Sequence, residues 1–134
     1  MKLYVDSNVF ISLIREEVSV NRTLFDEALS FFERIQERKD TIVISELVFD
    51  EIQRICFNSK EELLEKFLKL DIPVEEVKNE TTLLREVKES KIHYPDCINA
   101  NTAIKTKCDY LVTFNTKDYI CINNKITILQ PRDY

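Results

Sequence analysis

The sequence lacks glycine and tryptophan entirely among its 134 residues, and it contains a single histidine, His93. A P-loop and a Rossmann dinucleotide fingerprint both need glycine where the backbone approaches phosphate, so nucleotide binding of these two kinds is excluded. One histidine and the lack of a G-x-S-x-G motif argue against a serine-hydrolase triad built on a nucleophile elbow. Without glycine, tight turns must rely on asparagine and aspartate, and N-N at 123–124 is the expected example.

The composition also disfavours several classes of protein. No apolar run approaches the ~20 residues of a membrane span, and M-K-L-Y-V at 1–5 is too short for a signal peptide, so we expect a cytoplasmic protein with no membrane partner. The four cysteines include no C-x-x-C pair, which disfavours structural zinc and favours reduced thiols. The net charge of −5 is not that of a basic nucleic-acid coat, although it is compatible with an acidic site that binds metal.

Short apolar strands alternate with amphipathic helices along the chain. This alternation predicts parallel strands joined by right-handed crossovers, and therefore a single three-layer α/β/α domain, 1–134, around a central, mostly parallel sheet. The predicted strands are 2–5, 41–44, 72–74, 109–114 and 126–129. The predicted helices are one directly after Asp6, 23–38, one through Val48 and Cys56, about 60–69, 79–91 and one opened by Pro95.

Acidic residues follow these strands at the points where the strands end. Because the carboxyl ends of parallel strands meet at one edge of a sheet, we expect these side chains to converge there, beside a topological switch. Oxygen-only clusters suit Mg²⁺ or Mn²⁺, which proteins hold with a few carboxylates while waters complete the coordination. The residues are Asp6 after strand 2–5, Glu46 after strand 41–44 and its N-cap Ser45, Asp96 behind Pro95, and Asn115 with Asp118 after strand 109–114.

Each of these acids also has a purely structural interpretation. Asp6, Ser7 or Asn8 is suited to cap the helix that follows, since short polar side chains accept hydrogen bonds from its free N–H groups. Glu46 and Asp96 would lie in the first turn of a helix, where the dipole favours a negative charge. Capping and metal binding are compatible roles for Asp6.

Four segments and the closing I-L-Q-P-R-D-Y, in this order and spacing, resemble the PIN-domain nucleases. The resemblance covers nearly the whole chain, and it is the combination of segments rather than any one of them that is specific. The segments are V-D-S-N-V at 5–9, I-S-E-L-V-F-D-E-I at 44–52, P-D-C-I-N-A at 95–100 and L-V-T-F-N-T-K-D-Y at 111–119.

The resemblance implies roles for individual residues. Many family members carry an acid where this chain has Asn115, so Asp118 is the candidate for a fourth charge, while Asn115 still offers a carbonyl oxygen. Cys97 replaces the alanine of many members, which we interpret as packing. The implied metal ligands are Asp6, Glu46 and Asp96, the implied catalytic set adds Asp118, and Asn115, Thr113 and Ser7 support the pocket.

The resemblance implies a divalent-metal-dependent endoribonuclease that leaves 5′-phosphate and 3′-hydroxyl ends, and a role as the toxin of a toxin–antitoxin pair. It implies a small antitoxin protein and a homodimer as partners beside the RNA substrate. The residues alone support only a divalent-metal phosphodiesterase, because such a metal activates water and neutralises phosphate charge. A ribonuclease-A-type mechanism would need two histidines, and the chain has one.

Substrate binding and the rival functions rest on fewer residues. Lys117, inside T-F-N-T-K-D, is the candidate for a phosphate contact on RNA, whereas the other basic side chains suit a solvated surface. His93 is a candidate for the pocket, with a structural or surface role as the alternative. An aspartyl-phosphate phosphatase would need D-x-D, and Asn8 stands where its second acid should be. A stand-alone RNA-processing nuclease and a non-catalytic PIN-like RNA-binding scaffold stay open as alternatives.

Overall fold

A computed structural model of the chain describes residues 1–16 and 22–134, and it confirms the three-layer α/β/α architecture. A five-stranded sheet has the order β3-β2-β1-β4-β5, and every neighbouring pair is parallel. The strands are β1 (Lys2–Val5), β2 (Thr41–Ser45), β3 (Val74–Val77), β4 (Tyr110–Val112) and β5 (Thr127–Leu129). The α-helices are α1 (Ser7–Ile14), α2 (Leu24–Arg38), α3 (Glu46–Cys56), α4 (Lys60–Lys69), α5 (Arg85–Ser90) and α6 (Asp96–Lys105).

The direction of the crossovers assigns the helices to two layers. The steps from β1 to β2 and from β2 to β3 move one way across the sheet, and the step from β3 to β4 returns past β1. Because crossovers between parallel strands are right-handed, α1 to α4 cover one face and α5 with α6 cover the other. The order reverses between β1 and β4, which creates a switch point at the carboxyl ends of these two strands.

The position of β1 in the core explains why its sequence is a continuous apolar run. Leu3, Tyr4 and Val5 are fully buried, as expected of a central strand covered by helices on both faces. On the α1–α4 side, Phe10 lies 5.4 Å from Phe32 and 5.8 Å from Phe67 between ring centroids, so α1, α2 and α4 share one aromatic cluster. The end of β1 is thereby held rigidly in the centre of the molecule.

Several element boundaries differ from the sequence-based prediction. The third strand occupies Val74–Val77 rather than 72–74, and β4 pairs only over Tyr110–Val112. Helix α5 begins at Arg85 instead of residue 79, because the side chain of buried Asn101 binds the preceding backbone. Its Nδ2 donates to the carbonyls of Glu80 and Thr82, and its Oδ1 accepts from the N–H of Leu84. No described helix has the length and apolarity that a membrane span requires.

The lack of glycine shows at the helix ends. Each of α1 to α6 is followed within two residues by a non-glycine residue of positive φ. This left-handed conformation brings Cβ close to the following carbonyl oxygen, which is why glycine usually occupies it. The turn predicted at 123–124 is confirmed. The residues of positive φ are Glu16, Lys39, Phe57, Asp71, Lys91 and Lys107, with φ between 51° and 61°.

Candidate functional site

Two carboxylates from distant parts of the chain meet at the switch point. Asp6 directly follows β1, and its N–H continues the ladder with β4 by donating to the carbonyl of Val112 at 2.9 Å. Asp96 is the first residue of α6. The hydroxyl of Tyr119 lies 3.2 Å from Oδ2 of Asp6 and 3.0 Å from Oδ1 of Asp96. The predicted convergence of these two acids is therefore present in the structure.

Asp6 also performs the capping role that its position suggests. It is the N-cap of α1, and its Oδ1 accepts from the N–H of Ser7 at 2.7 Å. Its Oδ2 accepts from the hydroxyl of Thr113 at 3.0 Å, which places Thr113 in the site as predicted. The side chain of Asn8 bridges Thr113 and the N–H of Phe114, so it fastens the end of β4 to α1. Asn8 therefore serves the framework of the site.

Tyr119 provides one hydroxyl proton for two carboxylates. Because a phenol has a single O–H, it donates to Asp6 or to Asp96 but not to both at once. The same oxygen accepts from Nδ2 of Asn99 at 3.3 Å, and Oδ1 of Asn99 accepts from the hydroxyl of Tyr4 at 2.6 Å. Tyr119 closes the motif L-V-T-F-N-T-K-D-Y, but no sequence pattern separates a buried tyrosine that binds two carboxylates from one that only packs in the core.

The electrostatics of the pair follow from burial and from the crowding of like charges. Burial raises the pKa of Asp6 to about 6, and the negative charges of Asp96 and Glu51 add to the effect. Burial also raises the pKa of Asp96, with a further contribution from the charge of Asp118. The pKa of the Tyr119 phenol is raised by burial and by both carboxylates, so this group stays protonated at neutral pH.

A further acid, Glu51, reaches the site from α3. Its Oε2 accepts from the hydroxyl of Ser7 at 2.8 Å, which links Glu51 to the first residue of α1, directly after the cap. Its Oε1 is buried and, within the described ranges, has no hydrogen-bond partner. A signal for Glu51 exists in the sequence: it lies three positions after Val48 and directly before Ile52, so an acid stands on the buried stripe of a helix.

The structure does not bring Glu46 to this group. Glu46 is the first residue of α3 and is exposed, and its carboxylate accepts from the N–H of Asn79 at 3.2 Å. It lines a separate cavity of about 300 Å³ together with Phe49 and Asp50. Five positions along a helix correspond to a rotation of roughly 140°, so Glu46 and Glu51 face different directions. Glu46, which the sequence predicts as a metal ligand, thus faces away from Glu51 and contacts the backbone of Asn79.

The segment after β4 is divided between two cavities. The 3₁₀ helix Thr116–Ile122 carries Asp118, which lines a cavity of about 320 Å³ together with Asp96. Asn115 contributes its backbone, whose N–H donates to Thr113 and whose carbonyl accepts from the N–H of Asp118. Lys117 lines a different cavity of about 270 Å³, away from the two carboxylates. Asp118 is therefore beside the pair, and Lys117 is not.

The donor atoms fit a hard divalent cation. Carboxylate oxygens are among the ligands that Mg²⁺ and Mn²⁺ prefer, and Glu51 Oε1 is a buried acceptor to which no described residue donates. In residues 1–16 and 22–134, no three or more His, Cys, Asp or Glu side chains lie close enough together to hold a metal ion. Mg²⁺ is commonly bound by one or two carboxylates and keeps several waters, so Asp6 and Asp96 are sufficient for such a site.

Comparison with known proteins bears on this interpretation. The chain is similar over 97% of its length, with 22% identity and a TM-score of 0.65, to a chain in the crystal structure of VapBC2 from Rickettsia felis bound to a DNA fragment from their promoter, of which it covers 98%. No curated protein matches. The family model of the PIN domain matches residues 3–120. PIN domains are generally nucleases and generally use divalent metal ions. The chain belongs to the PIN domain family.

Proposed function

We propose that this protein is a divalent-metal-dependent endoribonuclease that hydrolyses RNA phosphodiesters, and that it is the toxin of a toxin–antitoxin pair. The observation that carries the nuclease proposal is the meeting of Asp6 and Asp96 at the single hydroxyl of Tyr119, at the switch point of a parallel sheet. Ligand sites of open α/β sheets lie at this position. Burial and the charge of Asp96 raise the pKa of Asp6, and a carboxyl group perturbed by burial and a neighbouring charge is typical of a functional site.

The residues divide the chemistry among themselves. When bound, Mg²⁺ or Mn²⁺ supplies activation of a water molecule and neutralisation of charge on the phosphate oxygens. Asp6 and Asp96 would hold the ion, and Glu51, rather than Glu46, would add a third negative charge through its link to Ser7. Asp118, which lines the same cavity as Asp96, would orient or deprotonate the attacking water. Tyr119 keeps its proton and would donate a hydrogen bond to one of the two carboxylates at a time.

The test is cleavage of mixed cellular RNA by the purified protein in Mg²⁺, in Mn²⁺ and in EDTA. We expect cleavage with either ion, none in EDTA, and a loss of roughly two or more orders of magnitude for Asp96→Asn, because an ion that is misplaced no longer stabilises developing charge. The matched control is Asp50→Asn, an exposed acid on α3 that lines the cavity of Glu46. Cleavage that persists in EDTA or in Asp96→Asn would contradict the proposal.

The toxin proposal rests on the likeness to a chain of the VapBC2 complex and needs its own test. A cavity of about 310 Å³ between α1, α2 and α4 is lined by apolar side chains such as Phe10, Leu13 and Leu63. It suits the apolar face of a short partner segment, and a basic residue of that partner would pair with the acids of the site. We expect the product of an adjacent reading frame to form a stable complex and to weaken cleavage. Failure of any neighbour to bind, with normal growth on overexpression, would leave a stand-alone RNA-processing nuclease.

A further inference from the structure

A cavity of about 320 Å³ opens directly beside the Asp6–Asp96 pair. One wall is formed by the end of α5 and the loop after it, and the other by the start of α6 and the 3₁₀ helix Thr116–Ile122. Its volume is at the lower end of the range of small-ligand sites and suits a group the size of one nucleotide. The lining residues are Ser90, Lys91, Ile92, His93, Asp96, Asp118 and Cys121.

The two walls differ in chemistry. Asp96 and Asp118 belong to the acidic site, whereas Lys91 and His93 face them with N–H donors. In the part of the chain that the structure describes, the side chains of Lys91 and His93 make no ion pair and no hydrogen bond, and both are exposed. A polyanionic substrate must approach several carboxylates, and unengaged donors beside them would offset the repulsion.

The loop between α5 and α6 adds an aromatic side chain. Tyr94 is 74% exposed, although tyrosine is usually at least half buried when it serves a core. It lies between His93 and Pro95, two residues before Asp96. Single-stranded RNA is commonly bound by exposed aromatic rings on which bases stack, next to cations that contact the phosphates. The sequence K-I-H-Y-P at 91–95 has both features within five residues.

We propose that this cavity and loop form a subsite for single-stranded RNA, which binds the nucleotide next to the scissile phosphodiester. Lys91 and His93 contact its phosphate, and Tyr94 stacks on its base. The subsite rests on the proposed nuclease function, and it deepens that function by naming the side chains that bind the nucleotide beside the scissile bond. An acidic segment of a protein partner could use the same cations, but it would gain nothing from a position beside four carboxylates.

The experiment measures binding of a fluorescent single-stranded RNA oligonucleotide in Mg²⁺, in an Asp6→Asn background that does not cleave it. In that background, Lys91→Gln should raise Kd several-fold, and it should lower the slope of log K against log salt by about 0.7, the value for one lost phosphate contact on a single strand. The matched control is Lys88→Gln, an exposed lysine of α5 outside the cavity, which should change neither Kd nor slope.

Two substitutions of Tyr94 test the stacking contact with the base. Tyr94→Ala should weaken binding by about tenfold, and Tyr94→Phe should bind like the parent protein because it keeps the ring. Phe57→Ala is the control for loss of an exposed aromatic side chain, since Phe57 is 87% exposed and follows α3 rather than α5. In the active protein, the same cavity variants should raise KM more than they lower kcat.

The outcomes separate this proposal from the one on which it rests. If RNA is cleaved in a metal-dependent way but the cavity variants bind RNA like Lys88→Gln and Phe57→Ala, the subsite is wrong and the nuclease function stands. If the wild type cleaves no RNA with either ion, the nuclease function fails, whatever the binding. If Lys91→Gln and Tyr94→Ala weaken a protein complex while RNA binding is unchanged, the surface binds a protein, and the subsite is again wrong.

Discussion

The hydroxyl of Ser7 donates to the carboxylate of Glu51 at 2.8 Å, so the residue directly after Asp6 connects the end of β1 to the middle of α3. This bond satisfies only Oε2 of Glu51. Oε1 stays buried without a partner in the described residues, and an unsatisfied buried acceptor typically costs about 1–3 kcal/mol. A stability cost of this kind beside two other acids is better explained by function than by packing, which leads to the first prediction.

Glu51→Gln should lower metal-dependent RNA cleavage by roughly two orders of magnitude, because an amide removes one of the negative charges that attract the ion to Asp6 and Asp96. Glu46→Gln should keep activity within a few-fold of wild type, since Glu46 contacts Asn79 instead of the site. Both changes preserve size and remove one charge from the same helix, so each is the control of the other. Steady-state cleavage rates with saturating Mg²⁺ give the comparison.

The opposite ranking, with Glu46→Gln inactive and Glu51→Gln active, would restore the residue that the sequence pattern favoured. It would mean that α3 turns or shifts when the ion binds.

Asp6→Asn should stabilise the protein in EDTA while it abolishes activity. The amide oxygen can still accept from the N–H of Ser7, so the cap survives, and the repulsion with Asp96 is removed. We expect a gain of about 1 kcal/mol, or roughly 3–5 °C in Tm. Mg²⁺ should raise the Tm of wild type by binding only the folded form, and it should raise that of the variant less.

A second substitution, Asp6→Ala, tests the role of Asp6 as the N-cap of α1. Asp6→Ala removes the cap and should lose about 1 kcal/mol relative to Asp6→Asn in EDTA. Thermal melts of the three proteins with EDTA and with Mg²⁺ separate the two roles. If Asp6→Asn is less stable than wild type, and Mg²⁺ does not change the Tm of wild type, Asp6 is a cap and not a ligand.

The raised pKa of Asp6 predicts a specific pH dependence of stability in EDTA. Burial raises this pKa from 3.8 to about 6, so the folded state favours the protonated form. The stability contributed by protonated Asp6 is complete below about pH 4 and is lost as the pH rises through 6. The advantage of Asp6→Asn over wild type should therefore grow between pH 4 and pH 7, by at most roughly 3 kcal/mol.

Urea unfolding of both proteins at several pH values measures this difference, and the contributions of carboxylates that do not interact with Asp6 cancel because the proteins share them. Saturating Mg²⁺ should reduce or reverse the slope, since a cation favours the charged form of its ligands. A constant difference from pH 4 to pH 7 would mean that Asp6 titrates normally.

The site shows which residues a sequence can reveal. Asp6 and Asp96 follow from the rule that acids at strand ends meet at one edge, and their meeting at Tyr119 agrees with it. Glu51 is harder to predict, because apolar residues at helical spacing define the buried face of α3 and an acid on that face is an exception to the pattern. The role of Tyr119 depends on the position of its hydroxyl in three dimensions, which the motif that contains it does not indicate.

The fold likewise has features that the sequence predicts and features that it does not. Alternating strands and helices were enough to predict the parallel three-layer arrangement, because burial on both faces makes each strand an apolar run. The late start of α5 was not predictable, since it is caused by the side chain of Asn101 from another helix. Local patterns predict elements well, and boundaries depend on long-range hydrogen bonds that a single sequence does not display.

Phe57 is the most informative of the residues with positive φ. It follows α3 with φ of 61°, and its side chain is 87% exposed, so the ring gains little from packing. A bulky residue in this conformation is strained by roughly 1–2 kcal/mol, because Cβ lies close to the following carbonyl oxygen. Phe57→Gly should relieve that strain. The greater conformational entropy of glycine in the unfolded chain should offset about 0.5–1 kcal/mol of this stabilisation.

We therefore expect Phe57→Gly to raise the free energy of unfolding by about 0.5–1 kcal/mol, with no effect on cleavage, since Phe57 is the exposed residue that follows the last turn of α3. Phe57→Ala is the matched control: it removes the same exposed ring but keeps Cβ, so it should be less stable than Phe57→Gly. Urea unfolding of the three proteins gives the order directly. Equal stability of the glycine and alanine variants would show that the left-handed conformation costs this chain nothing, and that six non-glycine helix ends are no source of strain.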